Sequence, residues 1–441
     1  MSNVLVLGAG LVARPLVRYL LEQPGYQVTV ASRTVAKAQA LIDGHPQGTA
    51  VAFDITSEGA RLGELIAGKD LTVSLLPYIY HVRVAEHCLQ HGSHLVTTSY
   101  VSEAMRGLDE PARAAGLILL NEIGLDPGID HMSAMRIIDS VHQGGGEVHA
   151  FRSYCGGLPA PEANDNPLGY KFSWSPRGVV LAGRNDGRYQ ESGRIRQVPN
   201  ARLFATHTLT WIEGLGDLEA YPNRDSLPYI SLYGIPETDT MYRGTLRNLG
   251  WCDVMQKLNE LGYFSLEDRP ELPGGTFRQV MARLVDVEPT DDVAAALAAR
   301  LNVSPTSGVM HAIEWLGLLS DAPVSNQTTL LDVLADQMLV KMPYREGERD
   351  MVVLVHEFEA TYRDRDEEIT STLIDFGAPG SDTAMARTVG LPAAIAARLI
   401  LDGEITLTGV HIPVLPELYQ PVLRELAELG ITCVEQRRTL T

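Results

Sequence analysis

A short apolar run, Val4–Leu7, leads directly into Gly8-Ala9-Gly10-Leu11-Val12-Ala13, a GxGxxA series that opens an amphipathic segment. The first glycine suits a tight turn, the second lets a backbone approach a pyrophosphate, and small Ala13 lets helix and strand pack closely. Amides at the start of the helix that follows carry partial positive charge, so phosphate is the matching ligand. The end of the second strand sets the kind of dinucleotide. There the chain reads Ser32-Arg33-Thr34, where an Asp or Glu would accept the ribose 2′-hydroxyl protons of NAD. A carboxylate would repel a 2′-phosphate, whereas the planar Arg33 guanidinium can grip it and the two hydroxyls can add donors. NADP(H) is the expected cofactor. The plainer alternative is a solvated arginine at a strand end.

Three more segments follow apolar runs: Leu75-Leu76-Pro77-Tyr78, Thr98-Ser99-Tyr100, and Glu122-Ile123-Gly124-Leu125-Asp126-Pro127-Gly128. Ligands of open α/β sheets bind outside the carboxyl ends of the strands, so these loops are where chemistry is expected. Tyr100 and Asp126 are their foremost ionisable groups. Asp126 also reads as a helix cap with Pro127 at the first helical position, a structural task that could coexist with a chemical one. His87 and His91 share a helix face at metal-ligand spacing, but no carboxylate or cysteine completes a known pattern, so no metal is expected. No GxSxG or P-loop occurs, which leaves hydrolase and kinase chemistry without support.

The elements that must position these loops can be read from periodicity. Apolar runs at Val4–Leu7, Val28–Ala31, Ala50–Phe53, Leu71–Leu76, His94–Thr98 and Leu117–Leu120 alternate with amphipathic segments at Ala13–Glu22, Val35–Ile42, His81–Gln90 and Glu103–Ala115. That alternation predicts an α/β fold with a Rossmann-type, doubly wound parallel sheet. A helix is expected from Ile129 to about Val141, then a mixed α/β region. A helical pattern follows from Asp253 to about Val340, and a hairpin from Met351–Tyr362 and Glu367–Phe376 turning at Arg363–Asp366. Asp382–Leu401 reads as one or two buried helices. The expected division is 1–128 with 385–441 as the dinucleotide domain, 129–250 with 345–384 as a mixed α/β substrate and dimerisation domain, and 251–344 as a small helical insertion.

The 441 residues are 45% apolar and 21% charged, ordinary for a globular protein with more than one core. A formal charge of -19 argues against nucleic-acid and anionic-membrane surfaces. Cys88, Cys155, Cys252 and Cys433 lie far apart, without a CxxC pair. They suggest neither a zinc framework nor structural disulfides. The N-terminus lacks signal-peptide character, and no apolar run approaches the ~18 residues that span a bilayer. A cytoplasmic, reduced protein is expected. The stretch Tyr154–Pro176 has the glycines and prolines of a linker, yet it carries Cys155, Lys171, Trp174 and Ser175.

Taken together, SLLPYIYH, TTSYVSEAM, NEIGLDPGIDH, SYCGGLPAPEANDNPLGYKFSWSPRGV, YPNRDS, RGTLR and ERDMVVLVHEF resemble the saccharopine reductase family, the glutamate-forming saccharopine dehydrogenases of lysine metabolism. The resemblance runs from the first strand into the last hundred residues. It implies NADPH-dependent reduction of the imine formed from L-glutamate and L-2-aminoadipate 6-semialdehyde to saccharopine, a reversible reaction. It also implies a homodimer, with saccharopine between the cofactor domain and the second domain. Carried over by position, the cofactor contacts are Gly10, Leu11, Val12, Ala13, Ser32, Arg33, Thr34, Asp54, Ile55, Leu76, Thr98, Leu125, Asp126, Pro127 and Ser175, beside Gly8 of the turn. The substrate contacts are Ser99, Tyr100, Arg224, Thr245, Leu246 and Arg247, with Arg243 and Lys171 in reserve for a substrate bearing three carboxylates. Acid-base candidates are Asp126, Tyr100 and Cys155, in that order; Cys155 could equally be a small buried residue. The resemblance also places Tyr154–Pro176 at the wall of an active site.

Two rival functions remain at this level. One is a related NADP-dependent amino-acid dehydrogenase acting on a different imine or secondary amine. The other is a dinucleotide-sensing binding protein, which would have no use for the arginines or for Tyr100 and Asp126.

Overall fold

The computed structural model describes residues 1–440. The chain divides into two compact units. Unit 1 comprises Met1–Gly146, Tyr362–Asp364 and Ser371–Gln436; unit 2 comprises Glu147–Thr361, Arg365–Thr370 and a short piece from Arg437.

Unit 1 is built on a parallel sheet of seven strands. Their order is Gly409–His411, Ile118–Leu120, His94–Thr97, Leu71–Ser74, Ser2–Leu7, Tyr26–Ser32 and Gly48–Ala52. Val4 to Leu7 are fully buried, as expected of a strand covered on both faces by helices. Strand order reverses beside Ser2–Leu7, so the switch point lies between the ends of Ser2–Leu7 and Leu71–Ser74. The six expected strands are present, joined by the short Gly409–His411 at the edge.

The helix Ala384–Leu401 corrects one expectation. Its 18 residues have a mean hydropathy of 1.4, so by length and composition it could cross a bilayer. Its apolarity has another cause, because 72% of it is buried inside the protein. Gly390 lets it lie against the first helix, Ala13–Glu22: a β-carbon there would stand 2.9 Å from the Val12 carbonyl oxygen. The segment expected as one helix at Glu103–Ala115 is two, Glu103–Arg106 and Asp109–Ala115, separated at Gly107-Leu108.

Unit 2 contains a mixed sheet. Its order is Thr208–Ile212, Gly216–Pro222, Thr240–Arg247, Glu147–Pro159, Asp350–Thr361, Asp366–Phe376 and Val434–Leu440, and the ribbon Gly187–Glu191 with Arg194–Val198 branches from Thr240–Arg247. Glu147–Pro159 pairs parallel with Thr240–Arg247 and antiparallel with Asp350–Thr361.

The anticipated three-way division gives way to two units, for a packing reason. Helices Trp251–Glu260, Phe277–Leu284, Val293–Leu301, Gly308–Trp315 and Leu330–Lys341 share one apolar core with Leu168, Tyr170, Phe172, Val179 and Val198. An amphipathic helix must bury its stripe against something, and here the partner is the Gly/Pro-rich stretch itself. The helix Ile129–Gln143 belongs with unit 1, where the Tyr419 hydroxyl donates to Asp139 at 2.5 Å.

Candidate active site

In unit 1, Gly8 has φ 112°, and a β-carbon on it would stand 3.1 Å from the Leu75 carbonyl oxygen. Only glycine fits that crossing of two strand ends. At Gly10 the space is open, with no atom within 4 Å of where a β-carbon would be. The helix Ala13–Glu22 has no side-chain cap and no acidic residue in its first turn. Its amides are therefore unmet by side chains at the point where the glycines allow a pyrophosphate to approach, which fits the expected dinucleotide.

Ser32 closes the second strand, and Arg33 and Thr34 are exposed beyond it. Asp54, after the third strand, accepts from the Thr56 amide at 2.9 Å and its hydroxyl at 2.7 Å. Those two bonds, with the Arg33 charge adding to them, hold the Asp54 carboxyl below the usual aspartate range. Ile55 is buried among Leu7, Ala31 and Phe53, with Leu76 packed against the same group. Ile55 can thus act only as floor. Thr98 lies under Gly124, whose β-carbon would meet its side chain at 3.1 Å.

The loops after the fifth and sixth strands bring Tyr100 and Asp126 together: the Tyr100 hydroxyl donates to Asp126 Oδ1 at 2.9 Å. From Asn121 to Met135 every residue except Asp126 is buried, so this carboxylate is the one group of the segment that reaches the surface. The capping task expected of Asp126 is not what the chain does. The helix begins at Ile129 behind Gly128, whose φ is 146° and whose β-carbon would collide with the Gly124 backbone. Asp130, inside the first turn, takes the Gly128 amide instead. The Asp126–Pro127 bond is cis.

One residue here was not singled out from sequence. His81, fully enclosed, joins three hydroxyls: Nδ1 lies 3.0 Å from Ser74 Oγ, and Nε2 lies 3.0 Å from Thr97 Oγ1 and 2.9 Å from Ser99 Oγ. Burial pushes its pKa down to about 4, so the ring is neutral at physiological pH. Its signal was present in SLLPYIYH, but nothing local distinguishes a buried histidine at a helix start from an exposed one. His87 and His91 stack at 6.4 Å and pack on Gly63. No cluster of three or more His, Cys, Asp or Glu suited to a metal occurs among the described residues.

In unit 2, strand register places Cys155 opposite Thr245, and Thr245 opposite Tyr221. Gly156 permits the close approach, since a β-carbon on it would stand 2.8 Å from the Leu246 carbonyl oxygen. The Leu246 side chain is fully buried, so any ligand would meet its backbone. Arg247 is 5% exposed. Its guanidinium lies 4.9 Å over the Tyr170 ring and 5.3 Å over Trp251, and one terminal nitrogen donates to the Leu246 carbonyl at 2.8 Å. Its Nε has no hydrogen-bond partner, and no carboxylate among the described residues lies within ion-pair reach. A buried cation with an idle donor suits an incoming anion.

Arg224 is exposed, in the left-handed region at φ 59°. Its loop is pinned on both sides, by Asn223 N donating to the Arg243 carbonyl and Arg188 N donating to the Arg224 carbonyl, each at 2.8 Å. Arg243 is buried 4.3 Å over the Tyr229 ring.

Lys171 does not stand in reserve for a substrate. It is 3% exposed and ion-paired with Glu348 at 2.7 Å and Asp165 at 2.9 Å. Within the same stretch, Tyr154 to Pro159 are core strand, Tyr170 and Phe172 are core, and exposed Ser175 caps the helix Pro176–Ala182 by accepting from Gly178 N at 3.2 Å. Burial pushes the Cys88 thiol up to about 12 and Cys433 up to about 11; Cys252, beside Glu219, is raised further.

Both units match known proteins. Residues 4–120 match the saccharopine dehydrogenase NADP binding domain, and residues 124–431 match the saccharopine dehydrogenase C-terminal domain. The chain is 40% identical to saccharopine dehydrogenase [NADP(+), L-glutamate-forming] of Schizosaccharomyces pombe, over 99% of both chains. It is 36% identical to the mitochondrial alpha-aminoadipic semialdehyde synthase of Bos taurus, over 99% of this chain and 48% of that one. The apo structure of saccharopine dehydrogenase (L-Glu forming) from Saccharomyces cerevisiae superimposes with a TM-score of 0.89 at 39% identity, covering 99% of this chain and 100% of that one. Agreement that runs through both units, in sequence and in fold, places this chain in the saccharopine dehydrogenase family.

Proposed function

We propose that this chain is an NADP-dependent, L-glutamate-forming saccharopine dehydrogenase of lysine metabolism. It interconverts saccharopine, NADP+ and water with L-glutamate, L-2-aminoadipate 6-semialdehyde, NADPH and a proton. The observation that carries the substrate assignment is Arg247, a buried guanidinium without a carboxylate partner in a protein of net charge -19. Such a group implies an anionic ligand, and saccharopine is an amine bearing three carboxylates.

The NADP nicotinamide supplies the hydride chemistry when bound. The uncapped helix after Gly8–Ala13 receives the pyrophosphate, and Arg33 with Ser32 and Thr34 reads the 2′-phosphate. Asp54, Ile55, Leu76, Thr98, Leu125, Pro127 and Ser175 complete the cofactor contacts in this reading. Arg224 and Arg247 orient substrate carboxylates, helped by Thr245, the Leu246 backbone and Ser99. Tyr100 and Asp126, already hydrogen-bonded to each other, move the protons that carbinolamine and imine formation require. Cys155, opposite Thr245, stands next in line. Holding the imine at reacting distance contributes at most about 7–11 kcal/mol of barrier reduction.

The same proposal includes a cytoplasmic setting, supported by four buried cysteines that form no disulfide, and a homodimer through unit 2. The edge strand Thr208–Ile212 supports self-association, because Leu209 and Trp211 on it are 60% and 70% exposed. The deciding assay follows NADPH oxidation with glutamate plus aminoadipate semialdehyde, and NADP reduction with saccharopine. Turnover in both directions is expected. Tight NADPH binding without turnover would overturn the proposal.

A further inference from the structure

Tyr100 and Asp126 stand on two different loops, and one buried carboxylate fastens the first of them. Glu122 Oε1 accepts from the Val101 amide at 2.9 Å, while the Glu122 amide donates to the Ser99 carbonyl at 3.2 Å. Tyr100 is thus fixed from both flanks by one residue. The second oxygen, Oε2, lies 2.9 Å from His131 Nε2, and the other ring nitrogen lies 3.7 Å from Asp130 Oδ2. Asp130 in turn accepts from the Gly128 amide at 2.5 Å, two residues past Asp126. Glu122, Asp130 and His131 are all buried, and Glu122 sits at φ 59°, where side-chain-bearing residues are uncommon.

A buried polar network of this kind is weak as a source of stability, since desolvation offsets much of its attraction. What it does supply is a defined geometry. Glu122 meets both residues that flank Tyr100, Asp130 meets Gly128 just past Asp126, and both carboxylates are buried.

We infer that Glu122 is a positioning residue for the dehydrogenase reaction. Anchored by His131, it holds the backbone of Ser99 and Val101 on either side of Tyr100 and so sets where the Tyr100 hydroxyl meets the Asp126 carboxylate. The inference rests on the reading of Tyr100 and Asp126 as the proton-handling groups. Glu122 itself touches neither substrate nor cofactor in this role.

The test uses the full chain with Glu122→Gln, Glu122→Ala, Asp126→Asn and the double variant Glu122→Ala with Asp126→Asn. Gln keeps an oxygen for the Val101 amide; Ala keeps neither contact. Misplacement by about 1 Å can cost ~100-fold in rate. The expected kcat for saccharopine oxidation therefore falls about 10-fold in the Gln variant and about 100-fold in the Ala variant. Saccharopine KM and NADPH Kd should stay within about threefold, because a positioning defect acts on the chemical step. In the Asp126→Asn background, adding Glu122→Ala should cost little more, since both act through one pair. Wild-type kcat in both Glu122 variants, with Asp126→Asn impaired, would overturn this inference alone. So would KM and NADPH Kd worsening in step with kcat and melting temperature, or fully additive losses in the double variant. Wild-type kcat in Asp126→Asn would defeat the acid-base reading itself, and the positioning role with it.

Discussion

The Tyr100 hydroxyl donates to Asp126 at 2.9 Å, which joins the loop after the fifth strand to the loop after the sixth. If this pair moves the protons of imine chemistry, Asp126→Asn should lower kcat by ~10²-fold or more, and Tyr100→Phe by a smaller factor. Steady-state saccharopine oxidation measures both. An unchanged kcat and pH profile in Asp126→Asn would remove the carboxylate from the mechanism.

Arg33 is exposed at the end of the second strand, with Asp54 turned onto Thr56 beside it. Arg33→Ala should raise the KM for NADPH about 10- to 100-fold, the value of charge-assisted bonds worth ~1.5–3 kcal/mol. Turnover with NADH, which lacks the 2′-phosphate, should hardly change. Equal losses with both cofactors would assign Arg33 a structural role.

Arg247 tests substrate recognition in unit 2. Arg247→Lys retains the charge but loses the planar fork and its stacking on Tyr170 and Trp251. The KM for saccharopine should rise at least ~10-fold, with NADPH Kd unaffected. Titration of both ligands into the variant checks the split.

Lys171→Met should behave in the opposite way. With Glu348 and Asp165 losing their shared cation, stability should fall by about 1–3 kcal/mol, less than for a fully buried pair because both carboxylates reach water. Saccharopine KM should stay at the wild-type value. A denaturant melt and one kinetic assay suffice.

His81 makes stability depend on pH. Its folded pKa, about 4, lies below the ~6.5 of an unfolded histidine, so the unfolded chain takes up a proton first as pH falls. The stability it contributes is complete above ~6.5 and is lost between there and about 4, on the order of 3 kcal/mol in all. His81→Asn should flatten that part of the stability curve, read from urea melts at pH 7 and pH 4.5. An unchanged slope would place the acid sensitivity elsewhere.

Much of unit 1 was legible because its signals are local. GxGxxA, the alternation of buried strands with amphipathic helices, and Ser32-Arg33-Thr34 each state their meaning within a few residues. The short edge strand Gly409–His411 escaped notice because three residues carry no periodicity. The helix Ala384–Leu401 was legible as buried, but how apolar it is depends on its being enclosed.

The sequence by itself determined the cofactor fold and the NADP preference, and it named candidate loops for chemistry, since strand ends and turn residues follow from short-range rules. Tertiary structure decided which charged groups remain available there. Asp126 and Lys171 both looked ready for chemistry. Gly128 took the helix start and left Asp126 at the surface beside Tyr100, while Glu348, 177 positions away, closed on Lys171. The desolvation of His81 and the setting of Arg247 over Tyr170 arise the same way. A buried charge is defined by what packs around it, and those neighbours come from distant parts of the chain.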